Sequence, residues 1–151
     1  RKHILYIIRE LIDFTPQSNQ TDISVALEFL SGVAKRHCTA FMMSDFYDRK
    51  SFLHPLTISN RKHDVVAIQV YDWWERRLPD VGLLKVRDAE SGYEQYIDTG
   101  SKKLRDLHQR NWNNRQASLH EVFTKSNVDN VSIATDEDYV KQLMMLFRKR
   151  N

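Results

Sequence analysis

Three side chains that carry oxygen atoms occupy positions in the sequence from which they could bind a divalent cation. Asp45 and Asp72 each follow an apolar run that ends abruptly, and Thr21 precedes an amphipathic segment. A hard cation such as Mg²⁺ prefers carboxylate, hydroxyl and water oxygens. If both runs are parallel strands, their carboxyl ends lie on one edge of the sheet, where ligands of open α/β sheets bind. The pattern allows a binding site at which Asp45, Thr21 and Asp72 converge.

The same residues also allow two other interpretations. Thr21 is a good N-cap, and Asp45 could cap the helix that follows it, so the acids could be purely structural. Asp45, Asp48 and Asp72 together would instead suit a Mg²⁺-dependent hydrolase or phosphotransfer enzyme. No Gly-rich phosphate loop, nucleophile elbow or defensible general base accompanies them. The residues alone leave metal-dependent binding, hydrolysis and helix capping open.

Other side chains with chemical potential favour structural roles. The six histidines lack the paired i, i+4 spacing typical of zinc sites. Cys38 begins an apolar run, which predicts a core residue rather than a nucleophile. We expect Trp73 and Trp74 to pack over the sheet rather than anchor a partner, because aromatic side chains bury large areas. The basic run 148–150 is interpreted as the solvated end of a helix.

Length and composition set the class. The 151 residues, 41% hydrophobic and 28% charged, predict one globular domain over 1–151. The net charge of +3 is too small to indicate a nucleic-acid surface. A single cysteine favours a reducing, cytoplasmic compartment, and no apolar stretch approaches the roughly 20 residues of a membrane span. The absence of an initiator methionine indicates a fragment.

Hydrophobic periodicity predicts alternating strands and helices, and therefore a parallel, Rossmann-like α/β sheet. Helices are expected at about 2–14, 21–37, 51–60 and 101–126, and a last helix is expected after a capping-box-like pair, Thr135 and Asp138. Strands are expected at 39–43, 64–70 and 131–134. A hairpin is expected at 84–87 and 93–97, and a loop at 73–83.

Six short motifs, in this order, carry a resemblance that covers essentially the whole chain. They are Gln20-Thr21-Asp22-Ile23, Ser44-Asp45-Phe46, Arg61-Lys62-His63-Asp64-Val65-Val66-Ala67, Leu78-Pro79-Asp80-Val81-Gly82-Leu83, Asp88-Ala89-Glu90-Ser91-Gly92 and Thr135-Asp136-Glu137-Asp138-Tyr139-Val140. Together they resemble domain-of-unknown-function family fifty-eight, a von Willebrand factor A-like family found with MoxR-type AAA+ ATPases.

The resemblance implies a three-layer α/β/α fold of von Willebrand factor A type and a non-enzymatic interaction or assembly module working with a MoxR-type ATPase. By that resemblance, Thr21 and Asp45 match two ligands of a metal-ion-dependent adhesion site, which takes Mg²⁺ or Mn²⁺. That site also needs an Asp-x-Ser-x-Ser loop, which this sequence lacks. We therefore expect the carboxyl-terminal part of such a domain, without its first strands, and absent or weak metal binding in this fragment.

The same resemblance places the strand that carries Asp45 beside a missing neighbour. Its free backbone N–H and C=O groups would form an unprotected sheet edge. We expect that edge, Cys38–Ser44, to pair with a second copy in a homodimer.

Overall fold

A computed structural model describes residues 2–15, 21–88 and 91–150 as a mixed α/β structure. The elements within those ranges are α1 (Lys2–Asp13), α2 (Ile23–Val33), β1 (Thr39–Ser44), α3 (Leu53–Lys62), β2 (Asp64–Tyr71), α4 (Trp73–Arg76), β3 (Leu83–Arg87), β4 (Glu94–Asp98), α5 (Lys102–Ser126), β5 (Asp129–Ala134) and α6 (Tyr139–Arg150).

The predicted parallel sheet is confirmed, with strand order β1-β2-β5. Thr39 aligns with Asp64 at the amino end of β1, and Tyr71 aligns with Ala134 at the carboxyl end of β2. The predicted hairpin is also confirmed as the antiparallel pair β3–β4, which forms a separate sheet. The carboxyl ends of the three parallel strands therefore lie on one edge, as the sequence pattern required.

The centre of the sheet is β2, and helices cover both of its faces. Val65 and Ala67 on one face belong to the main hydrophobic core, which also contains side chains from α2, α3 and α5. Successive strand residues point to opposite faces, so Val66 lies on the other one. On that face Phe41, the neighbour of Val66 in β1, meets Phe147 of α6 with ring centroids 6.2 Å apart.

β1 is less buried than its apolar sequence predicts. Within the described part of the chain it pairs only with β2, so its other edge carries no strand. Phe41 is 47% exposed and Met43 is 71% exposed. The prediction of a parallel strand is confirmed, but its apolar side chains are less buried than is typical of such a run, because one edge of β1 lacks a neighbouring strand among the described residues. Pairing of this edge with a second copy stays a prediction.

α1 is helical as predicted, but its apolar face has no partner among the described residues. None of its side chains is buried, and the apolar ones are between 45% and 77% exposed. An exposed ion pair from Arg9 to Asp13, at 3.2 Å, joins side chains one turn apart on this helix. No helix within the described residues is both long enough and apolar enough to cross a bilayer.

Two predicted helix starts are wrong. The N-cap of α2 is Asp22 rather than Thr21, since the Asp22 carboxylate accepts the N–H of Val25 at 3.1 Å. The predicted capping pair of Thr135 and Asp138 does not form. Asp138 alone accepts the N–H of Val140, at 3.0 Å, while the Thr135 hydroxyl donates to Asp72 at 3.3 Å.

The segment 73–83, expected to be a loop, begins with the short helix α4. Asp72 accepts the N–H of Trp74 at 2.8 Å, and Glu75 accepts the N–H of Asp72 at 3.1 Å. This reciprocal capping box satisfies two donors that a helix start otherwise leaves unpaired. The four-residue helix therefore owes its start to Asp72, one of the candidate site residues.

The basic run at the end of α6 is not wholly solvated. Arg150 reaches Asp64 at the start of β2, with 2.5 Å between Nη2 and Oδ1, and Asp129 at the start of β5, with 3.6 Å between Nε and Oδ2. The last helix is thus tied to the amino end of the sheet, which corrects the interpretation made from the sequence.

Candidate functional site at the carboxyl edge of the sheet

The loop after β1 is shaped by hydrogen bonds among its own residues. One Asp45 oxygen accepts the N–H of Tyr47 at 3.0 Å and the Ser44 hydroxyl at 3.4 Å, while the Ser44 oxygen accepts the N–H of Phe46 at 3.0 Å. These bonds turn the chain sharply at the strand end. They leave Asp45 and Tyr47 exposed, where a partner could reach them.

Phe46 fixes this loop at a conformational cost. Its φ of 55° lies in the left-handed region, which a bulky residue rarely adopts and which costs of order 1–3 kcal/mol. Burial offsets the cost, because the ring is 4% exposed and meets Phe123 with centroids 5.1 Å apart. A buried anchor between two exposed residues holds Asp45 and Tyr47 on the surface.

The start of α2 is bonded to the same loop. Asp48 accepts the N–H of Ile23 at 2.8 Å, and Lys50 binds Asp22 with 2.6 Å between Nζ and Oδ2. The hydrogen bond from Lys50 lowers the pKa of Asp22, and the Val25 N–H acts in the same direction. The structure therefore brings the segment that carries Thr21 against the loop that carries Asp45.

The described residues do not by themselves make a metal centre. Over 2–15, 21–88 and 91–150, no group of three or more His, Cys, Asp or Glu side chains could hold a metal ion. Asp45, Asp48 and Asp72 each accept backbone N–H groups. Thr21 and Asp45 alone would supply two oxygens, fewer than a tightly held Mg²⁺ requires. The acidic cluster proposed for hydrolysis is not gathered here.

Trp73 and Trp74 are exposed, and the prediction that they pack over the sheet is wrong. Trp73 is 42% exposed and Trp74 is 52% exposed, and the Arg76 guanidinium lies 5.1 Å from the Trp73 ring centroid. They open α4 at the carboxyl end of β2, on the same edge as Asp45. Exposed tryptophans on a rigid element are typical anchors of protein interfaces.

A buried histidine beside the single cysteine was also missed. His63 is 1% exposed, and its Nδ1 lies 3.5 Å from the Sγ of Cys38. The two residues precede neighbouring strands, so they meet only once β1 and β2 pair. This pair lies at the amino end of the sheet, opposite Asp45. The sequence offered no local signal for it.

The fold and this edge define an α/β protein whose strand-end loops carry candidate binding groups. The profile of the family described as "Protein of unknown function DUF58" matches residues 1–118. The chain belongs to that family, as its sequence motifs indicated.

The similar proteins are mycobacterial and uncharacterized. The chain is 30% identical over 137 residues to "Uncharacterized protein Mb1516" of Mycobacterium bovis and to "Uncharacterized protein Rv1480" of Mycobacterium tuberculosis; each match covers 89% of this chain and 42% of the relative. It is 25% identical over 135 residues to "Uncharacterized protein MAV169" of Mycobacterium avium, with 89% and 79% covered. The chain thus spans less than half the length of the first two relatives. No solved structure matches it significantly.

Proposed function

We propose that this chain is the protein-binding part of a non-enzymatic interaction or assembly module of von Willebrand factor A type, acting in the cytoplasm. The observation that carries the proposal is the carboxyl edge of the sheet. There, exposed Trp73 and Trp74 stand on the same rim as the exposed carboxylate of Asp45. Large aromatic anchors beside a polar group are the usual composition of a protein interface.

The family resemblance supplies the partner and the metal of this proposal. The partner is a MoxR-type AAA+ ATPase. In the intact protein, Thr21 and Asp45 would hold Mg²⁺ or Mn²⁺ together with ligands from outside this chain, and the cation would supply an acceptor for a partner's carboxylate. The hydrogen bond from the N–H of Ile23, at the start of α2, to Asp48, in the loop after β1, supports this proposal. Thr21 lies just before α2 and Asp45 lies in that loop, so the two residues are on the same side of the molecule.

The rival hypothesis is a Mg²⁺-dependent hydrolase that uses Asp45, Asp48 and Asp72. The hydrogen bonds of the three carboxylates favour binding over hydrolysis. Asp48 ties α2 to the loop after β1, and Asp72 caps α4. Carboxylates committed to backbone N–H groups on separate elements are poor candidates for a shared catalytic task.

The experiment measures binding of the full-length protein to a purified MoxR-type ATPase from the same organism, by interferometry with Mg²⁺ present. We expect Trp73→Ala with Trp74→Ala to weaken binding at least about tenfold, as loss of aromatic anchors does. Asp45→Ala should weaken binding and also remove its Mg²⁺ dependence. Glu121→Gln, which alters an exposed ion pair on α5, is the matched control and should bind normally.

Unchanged binding in both variants would refute this surface as the interface. Phosphatase or nuclease turnover that disappears in both Asp45→Ala and Asp72→Ala would establish the hydrolase instead.

A further inference from the structure

A cleft with both aromatic and polar walls lies beside the Asp45 loop and is built from three elements. Its volume is about 440 Å³, and it is lined by Tyr47 from the loop after β1, Glu75 from α4, and His108, Asn111, Trp112 and Arg115 from α5. A cleft formed by a strand-end loop and two helices is a usual place for a ligand in an α/β fold.

Arg115 lines this cleft between two aromatic rings. Its guanidinium carbon lies 4.9 Å from the ring centroid of Tyr47 and 4.8 Å from that of Trp112. Both aromatic rings attract the cation by cation–π interaction and fix its orientation. The contacts with the rings restrict the side chain, while its N–H donors remain to be satisfied by oxygens.

Those donors are incompletely used. A guanidinium has five N–H groups, and Arg115 makes one long hydrogen bond, 3.4 Å from Nη2 to Oε2 of Glu75. Its Nε is buried without a hydrogen-bond partner in the described part of the chain. Glu75 cannot turn fully toward it, because its other oxygen accepts the N–H of Asp72 in the capping box of α4. The cleft therefore holds a preoriented cation that is only partly paired.

The same face of α5 carries two more polar side chains that line the cleft, His108 and Asn111. His108, Asn111 and Arg115 follow one another at helical spacings of three and four residues, so they share a face. His108 Nε2 donates to the backbone oxygen of Glu75 at 2.7 Å, which fixes that ring beside the cleft. The Asn111 amide is exposed at the rim. Among the described lining residues, the N–H donors of Arg115 and Asn111 thus outnumber the single carboxylate, Glu75.

We propose that the cleft binds one carboxylate, the side chain of an aspartate or glutamate in an acidic segment of a protein partner. The Arg115 guanidinium binds the carboxylate of the ligand. The rings of Tyr47 and Trp112 pack against the aliphatic carbons of the ligand's side chain. A phosphate group would suit the cleft less well, since one arginine must balance its charge beside the carboxylate of Glu75. The assignment to a protein partner rests on the proposed function, whereas carboxylate binding itself does not.

The test is a titration of the isotopically labelled chain followed by NMR at the indole N–H of Trp112, assigned from the spectrum of Trp112→Phe. The probe is N-acetylglutamate methylamide, and its glutamine counterpart and inorganic phosphate are titrated in parallel. We expect a saturable shift with the glutamate probe only, at roughly millimolar Kd, the affinity of a small ligand with few contacts.

Variants of α5 separate binding from folding. Arg115→Gln should weaken the glutamate probe at least about tenfold, as loss of a charge-assisted pair does. Arg115→Lys should be intermediate, because it keeps the charge and loses the planar fork. Arg110→Gln removes the same charge from an exposed position of the same helix and should bind like the parent. If Arg115→Gln does not fold, Tyr47→Leu is used instead. It removes an aromatic ring that contacts Arg115 and should also weaken binding of the glutamate probe.

Several results would overturn the proposal: no saturation up to about 50 mM, well beyond the expected range; equal shifts with the glutamine probe; tighter binding of phosphate; or unchanged binding in Arg115→Gln. The proposed function fails separately. If the probe binds normally but the ATPase does not bind the full-length protein, carboxylate binding by the cleft is supported and the proposed partner is refuted. If the ATPase binds through Trp73 and Trp74 but the probe does not bind, only the cleft is refuted.

Discussion

The two ends of the parallel sheet differ in how much their acidic groups bond within their own loop. At the amino end, Asp64 pairs with Arg150 of α6 and accepts the Thr39 hydroxyl of β1 at 3.2 Å, so these bonds join different elements. At the carboxyl end, Asp45 and Asp72 each accept the N–H group two residues further along the chain, and Asp72 adds one contact between elements by accepting the Thr135 hydroxyl at 3.3 Å. Bonds between elements hold the fold together, whereas local bonds shape loops and leave their outer surfaces for a ligand.

The largest effect should come from Phe46, a buried residue of the loop that follows β1. Phe46→Ala removes a ring packed against Phe52 and Phe123, and we expect it to lower the free energy of unfolding by about 3–5 kcal/mol. Urea denaturation measures this. Phe29→Ala, on the exposed face of α2, is the matched control and should change stability little. A loss as small as that of Phe29→Ala would show that the loop is not anchored by Phe46.

A smaller effect is expected at the amino end, where the hydrogen bond and charge of Arg150 hold the pKa of Asp64 below its usual range. A lowered folded-state pKa stabilises the fold above the unfolded value of about 3.9, and that stability is lost as pH falls through the folded pKa. Asp64→Asn should cost about 1 kcal/mol at neutral pH, given solvent screening of a partly exposed pair.

The pH dependence identifies this contribution. Unfolding of the parent and of Asp64→Asn should differ at pH 7 and converge at acidic pH, as measured by denaturant titration at several pH values. Glu121→Gln, which breaks an exposed pair within α5, serves for comparison and should show a smaller difference. A gap that persists undiminished in acid would mean that the substitution at Asp64 disturbs packing rather than an ion pair.

The smallest effect on stability should come from the tryptophans that the proposed function relies on. Trp73→Ala and Trp74→Ala should each change the free energy of unfolding by only about 0.5 kcal/mol, because both rings are substantially exposed. Thermal unfolding with circular dichroism detects this. A much larger loss in either variant would place that ring in the fold rather than in an interface, and the comparison between the two ends would fail.

The sequence predicted the sheet well because apolar runs and strand-end acids are local signals. The runs before Asp45 and Asp72 specified two parallel neighbours, and the structure pairs them as β1 and β2. The N-cap of α2 was predicted at Thr21, one residue before the observed N-cap, Asp22. Thr21 and Asp22 are both good caps, and Lys50, far along the chain, pairs with Asp22 in the structure.

The side chains around the candidate site were harder to predict, because their surroundings come from distant segments. Tyr47 and Arg115 belong to a loop and a helix that three strands separate in sequence, yet their side chains stack. The exposure of Trp73 depends on α4, a helix too short to show a periodic pattern. The contact of Cys38 with His63 requires that β1 and β2 first align.

The β3–β4 hairpin has a consequence for how the protein opens. Its two strands pack chiefly on each other, and its base is closed by Thr99, whose hydroxyl and N–H both donate to the carbonyl of Gly82. Such a unit can unzip while the parallel sheet stays intact, so its amide protons should exchange with deuterium well before those of β2. Limited proteolysis should likewise cut the hairpin before the parallel sheet and leave the two flanking pieces associated.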